Sequence, residues 1–249
     1  MSHFRDVQAF VDKANKAVSV AEVDALIDDV SREIGFDYYA LTHHVEVSAW
    51  QDRFVRLSNY PQSWVGRVRE GRYFADDPVH AACQKTGVGF RWSDVDRLIN
   101  LSPRQRDILS QASREGLGAG FTVPVHVPGE FTGSASFSVR SGRALDDDVL
   151  PAAQYLGCFG FEAARRISGL ASPSKERTEP PALTRRQVDC LLLVARGKSD
   201  WDAAQILGLS PDTVHQHVEG AKKRYGVASR TQLVVRALFD SRITFSDIL

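Results

Sequence analysis

Apolar residues recur at three- and four-residue intervals through 7–17 and 23–34, the spacing that gives a helix one apolar side. Gly35 ends the second run. From 36 to 47 the pattern turns aromatic and β-branched, which predicts a strand, and 54–59 is a second candidate. Helical spacing returns over 64–72, 78–85 and 103–115. Two further strands are predicted at 120–127 and 131–139, joined through Pro128-Gly129, followed by a helix over 146–167. Strands in the middle with helices before and after predict an α+β unit, an N-terminal α/β/α sandwich around an antiparallel sheet. Such a sheet can hold a small-molecule cavity between itself and one helical layer.

The C-terminal pattern is helical throughout. Thr184-Arg185-Arg186-Gln187 has the form of a capping box, in which threonine accepts an orphan backbone N–H and glutamine reaches back. Val188, Leu191, Leu192 and Ala195 then form an apolar stripe, and Gly197 stops the helix. In Ala204-Gln205-Ile206-Leu207-Gly208-Leu209-Ser210-Pro211-Asp212-Thr213-Val214 a small residue lets two helices approach, a glycine turns, and an apolar residue packs the second helix back. Ser210 is a suitable cap and Pro211 a suitable first residue for a helix running to Arg224. A last helix over 230–238 completes an all-α, four-helix, helix-turn-helix domain whose second helix is offered to a DNA major groove. Thr213, His215, Gln216 and Glu219 lie where side chains reach base edges, and Lys222, Lys223 and Arg224 lie further along, where phosphates or solvent are expected.

Composition adds the boundary between these parts. Ser172-Pro173-Ser174-Lys175-Glu176-Arg177-Thr178-Glu179-Pro180-Pro181 is polar and proline-bearing, so 1–171 and 182–249 read as domains joined by a linker at 172–181. The chain is neutral overall, but 182–249 holds ten Lys/Arg against seven Asp/Glu, about +3, while 1–171 is about −3. The basic half is the one that must meet phosphates, and a homodimer would double its charge. No apolar run is long enough for a membrane span, and the first residues lack the apolar stretch of a secretory signal. A cytoplasmic protein is expected, with Cys83, Cys158 and Cys190 as buried thiols. His215 and His217, two apart on a helix, point to different faces and do not form a metal pair. Gly133-Ser134-Ala135-Ser136 lacks the Gly-x-Ser-x-Gly form of a hydrolase nucleophile turn, so no enzyme is expected.

Four stretches of the N-terminal part resemble the autoinducer-binding domain of LuxR-family quorum-sensing regulators: Asn59-Tyr60-Pro61-Gln62-Ser63-Trp64, Asp77-Pro78-Val79, Phe90-Arg91-Trp92-Ser93, and Gly120-Phe121-Thr122-Val123-Pro124-Val125-His126. The C-terminal part resembles the same family's DNA-binding domain through Leu183-Thr184, Gly197-Lys198-Ser199-Asp200-Trp201, Thr213-Val214 with His217, and Tyr225-Gly226-Val227-Ala228-Ser229-Arg230-Thr231. The resemblance implies a transcriptional activator that binds an N-acyl homoserine lactone, and then an inverted-repeat promoter site as a homodimer, with RNA polymerase as a further partner. No cofactor besides that ligand is implied. Asp77 would accept the ligand's amide N–H, Trp64 would donate to the lactone carbonyl, Tyr60 to the amide carbonyl, and Trp92 would pack against the lactone ring. Ser136 would hydrogen-bond near the acyl amide, and Ala40, Thr42 and His44 would share the strand face toward the tail. An inward His44 would favour an oxygenated or otherwise polar acyl chain.

Departures from the family pattern matter too. Gln187 stands where glutamate is usual, His215-Gln216 where Asn-Phe is common, and Glu219 where a basic or polar residue is frequent, which implies a different operator. Val68 replaces an aromatic residue one turn after Trp64 and would leave room beside the ligand. The alternative is a related regulator that reads a small molecule other than an acyl homoserine lactone. A phospho-accepting response regulator is excluded, because Asp76-Asp77 follows Tyr73-Phe74-Ala75 and precedes a proline instead of ending a buried strand.

Overall fold

The computed structural model describes residues 2–45, 54–128, 130–168 and 181–249. The chain divides into two compact units, one of residues 1–127 and 131–172, the other of residues 128–130 and 173–249. Most of the expected linker, and Gly129 of the expected turn, lie outside the described residues.

The N-terminal unit runs α1 (Ser2–Ala14), α2 (Val20–Glu33), β1 (Tyr38–His43), β2 (Arg56–Ser58), α3 (Gln62–Glu70), a 3-10 turn (Tyr73–Asp76), α4 (Pro78–Cys83), β3 (Phe90–Arg91), α5 (Val95–Leu98), α6 (Pro103–Arg114), β4 (Leu117–Val125), β5 (Gly133–Arg140) and α7 (Leu150–Ile167). The strands form one antiparallel sheet in the order β2-β1-β5-β4-β3. The expected strand at 36–47 is shorter at its start, because Phe36 N–H bonds back to the Ser31 carbonyl at 2.8 Å and so closes α2; residues 46 and 47 lie outside the described part. β3 and α5 were not predicted, since two and four residues are too few for a period to register.

One face of the sheet carries Tyr39, Leu41, Phe121, Val123, Ala135, Phe137 and Val139, all buried in the main core with α1, α2 and α7. α7 lies close to the sheet because small residues face it: a Cβ on Gly157 would stand 2.8 Å from Val123 Cγ2. The other face is polar. By register Tyr38, Ala40 and Thr42 of β1 stand opposite Ser138, Ser136 and Ser134 of β5, and Ser136 stands opposite Thr122 of β4. Ser134, Ser138 and Thr122 are essentially inaccessible to solvent, covered by α3 to α6. Two smaller apolar clusters flank this hydroxyl strip, one around Trp64, Ile108, Ala112 and Leu117, the other around Ala82, Cys83, Phe90 and Val95.

The C-terminal unit holds α8 (Arg185–Ala195), α9 (Asp200–Leu207), α10 (Pro211–Tyr225), α11 (Arg230–Phe239) and a fifth, short helix, α12 (Phe245–Ile248), beyond the four expected. The Thr184–Gln187 capping box forms, with both reciprocal bonds at 3.0 and 3.3 Å. Gly208, at φ 66°, makes the left-handed turn between α9 and α10. Ala204, Val214, Val218 and Leu233 meet in the core. Cys83 and Cys190 are buried as expected, but Cys158 is exposed, because it lies on the outward side of α7.

Candidate functional site

Each side chain of the N-terminal site is held by local chemistry. The segment carrying Tyr60 is anchored by Asn59, whose side chain accepts from Tyr39 N–H at 2.7 Å and donates to Asp28 at 2.7 Å. Asp77 caps α4: its Oδ1 accepts from Val79 and His80 N–H at 2.8 and 3.3 Å, and Pro78 starts the helix where no N–H is needed. One carboxylate oxygen is thereby committed to the backbone, and Oδ2 lies 3.9 Å from His80 Nε2. Trp92 follows β3 and lies over Gly120, where a Cβ would stand 2.4 Å from the indole ring. The glycine permits that approach, and the indole N–H donates to Thr122 Oγ1 at 2.8 Å.

These groups converge on the hydroxyl strip. Thr122 Oγ1 is 2.8 Å from Ser136 Oγ, and Ser136 in turn meets the Tyr60 hydroxyl. Burial, and then the neighbouring Asp77 carboxylate, push the Tyr60 phenol above its ordinary range, so it remains a donor. Trp64 is buried in the cluster that also gathers Tyr38, Tyr60, Val68, Tyr73 and Trp92. Ala40 and Thr42 occupy the same sheet face by register. His44, half-buried just beyond β1, reaches Ser134 Oγ at 2.9 Å through Nε2. Tyr60, Trp64, Asp77, Trp92, Ser136, Ala40, Thr42 and His44 thus share one side of the sheet. Sequence reading missed Thr122, Ser134, Cys83 and His80 on that side. The alternation Ser134-Ala135-Ser136-Phe137-Ser138 in a strand covered on both faces was the available signal for the serines.

In the C-terminal unit, Ser210 caps α10 by accepting from Thr213 N–H at 3.1 Å. Val214 and Val218 anchor the helix, and His215 and Gln216 are exposed. Several expected contact residues are already engaged within the unit. His215 Nδ1 lies 3.2 Å from Asp200 Oδ2 on α9, which also pairs with Arg230 of α11 at 2.5 Å. Arg230, and to a smaller extent His215, hold the Asp200 carboxyl below its usual value. Glu219 pairs with Lys222 at 2.7 Å, which holds the glutamate carboxyl low. Arg224 bonds the Ala182 carbonyl. Lys223 is exposed.

The chain thus carries a buried polar sheet face in one unit and a helix-turn-helix in the other. Residues 19–164 match the autoinducer binding domain family, and residues 181–237 match the bacterial regulatory proteins of the luxR family. The chain belongs to the LuxR family of transcriptional regulators. It is 28% identical over 227 residues to the transcriptional activator protein AhyR of Aeromonas hydrophila, covering 88% of this chain and 86% of that one. An HTH-type transcriptional regulator, y4qH, of Sinorhizobium fredii is 30% identical over 182 residues; the match covers 73% of this chain and spans 55% of that longer protein. The crystal structure of Escherichia coli SdiA has the same fold, with a TM-score of 0.65 at 22% identity over 96% of this chain and 98% of that one. Among the described residues, no helix is long and apolar enough to cross a membrane.

Proposed function

We propose that this regulator binds an N-acyl homoserine lactone in the N-terminal site and then an inverted-repeat promoter site as a homodimer, acting in the cytoplasm as an activator with RNA polymerase as partner. The observation that carries the ligand half is the convergence of Asp77, Tyr60, Ser136, Trp64 and Trp92 on one buried sheet face. Such a ligand has an amide N–H, an amide carbonyl and a lactone carbonyl, and each, if buried without a partner, costs roughly 1–3 kcal/mol. Asp77 Oδ2 suits the N–H, the protonated Tyr60 the amide carbonyl, and the Trp64 indole the lactone carbonyl. Trp92, whose own N–H is taken by Thr122, serves as a flat apolar surface for the ring. For DNA, exposed His215 and Gln216 with Thr213 suit base edges, and Lys223 a phosphate; Glu219 would first have to leave Lys222.

Melting the full-length protein against a lactone series, with binding to an inverted repeat measured in parallel, tests both halves. A raised melting temperature with one lactone, together with ligand-dependent DNA binding, is expected, since a ligand selective for the folded state stabilises it by mass action. No shift with any lactone would favour the second reading, a different small molecule. SdiA, which shares the fold, has been solved in complex with octanoyl-rac-glycerol.

A further inference from the structure

At one end of the site the imidazoles of His44 and His80 stack, centroids 3.8 Å apart and planes 23° from parallel. His44 follows β1 and His80 sits on α4, so the pair bridges the sheet and the helical layer. Phe74 packs edge-on against His80 at 5.1 Å. His44 Nε2 is satisfied by Ser134, whose hydroxyl also meets the Cys83 thiol. The Nδ1 atoms of both histidines are buried and find no hydrogen-bond partner among the described residues. Buried polar atoms are almost always paired, by protein or by what binds there.

The environment also fixes the charge of His44. Burial, and then the neighbouring His80, His43 and His126, push the His44 imidazole down to about 2. The Asp77 carboxylate also faces the pair, its Oδ2 3.9 Å from His80 Nε2. A neutral imidazole presents one N–H and one lone pair. Ser134 lies two residues from Ser136 on β5, about 7 Å along the strand, so the pair stands just past the amide-binding groups, where an acyl chain continues.

We infer that the ligand's acyl group carries a hydroxyl that hydrogen-bonds the buried Nδ1 atoms of His44 and His80, in place of a plain alkyl chain. This rests on the lactone reading of the site. A hydroxyl both donates and accepts, so it can serve one Nδ1 as donor and the other as acceptor. A ketone can only accept, so it fits a ring only in the tautomer protonated at Nδ1, and a carboxylate would be buried beside a His44 ring that burial keeps neutral, with no cation there to offset its desolvation.

The test is calorimetric titration of the full-length protein with matched pairs of short- and medium-chain N-acyl homoserine lactones, each pair sharing a chain length and differing in an ω-hydroxyl. At one length the hydroxylated member is expected to bind about tenfold more tightly. His80→Leu is expected to abolish that preference and His80→Gln to retain part of it. Equal or tighter binding of the alkyl member at every length overturns the inference while leaving the lactone reading intact. No binding of any lactone overturns both. If His80→Leu does not fold, the wild-type ratio still decides.

Discussion

Two substitutions separate the cap at Asp77 from the ligand contact proposed for it. Its Oδ1 holds the first N–H groups of α4, and the proposal gives Oδ2 to the ligand amide. Asp77→Asn keeps a good cap but removes the charge, whereas Asp77→Ala removes both. Losing the cap costs about 1 kcal/mol, which lowers the melting temperature of a domain of this size by about 2–4 °C. Losing a charge-assisted bond to the ligand costs about 1.5–3 kcal/mol, or roughly 10- to 150-fold in Kd. The assay pairs ligand-free melting curves with lactone titrations of the three proteins. Alanine should show both losses; asparagine should melt like the wild type and bind lactone poorly. Wild-type lactone affinity in Asp77→Asn, with reduced stability in Asp77→Ala, would mean that Asp77 is a helix cap and nothing more.

Gly120→Ala drives a methyl into the Trp92 ring and should cost about 1–3 kcal/mol of ligand-free stability; partial recovery in Gly120→Ala with Trp92→Phe, by thermal melting, checks the cause. Lys223→Ala should weaken binding to all DNA sequences alike and lower the salt slope by up to about one, whereas Arg224→Ala, which removes a bond to the Ala182 carbonyl, should appear mainly in thermal melts. Asp200→Asn should cost roughly 0.5–1 kcal/mol at neutral pH, because the pair with Arg230 is partly exposed. Since the folded carboxyl sits below its unfolded value of 3.8, this stability is present above that value and lost as pH falls through the folded one. Denaturant titrations of wild type and variant should therefore converge in acid; a gap that widens below pH 3.8 would contradict the assignment. His215→Ala should change operator preference in a randomised library, and an unchanged preference would leave His215 as a partner of Asp200 alone.

The long periodic elements could be read from the chain because each carries enough residues to establish a period. The capping box at Thr184 and the turn at Gly208 are local chemistry, and both stand where their residues put them. The site was legible only in part. Asp77, Trp64 and Trp92 belong to contiguous motifs, whereas Thr122, Ser134, Cys83 and His80 meet only through strand register and the docking of α4. Nothing in the sequence around His80 announces that it will stack on a residue from β1's end. The pairing of His215 with Asp200 was likewise hidden, because it depends on how α9 crosses α10.

Gly220 stands on α10 directly beneath Gln187 of α8: a Cβ there would lie 2.8 Å from Gln187 Nε2. That amide cannot simply swing aside, since its oxygen holds the Thr184 N–H and the residue is buried. The two positions therefore form a unit of inheritance. A recognition helix transplanted from a relative with a larger residue at this point would tilt or loosen against α8 unless position 187 travelled with it, so operator specificity here should be exchanged as a pair of helices and not as one.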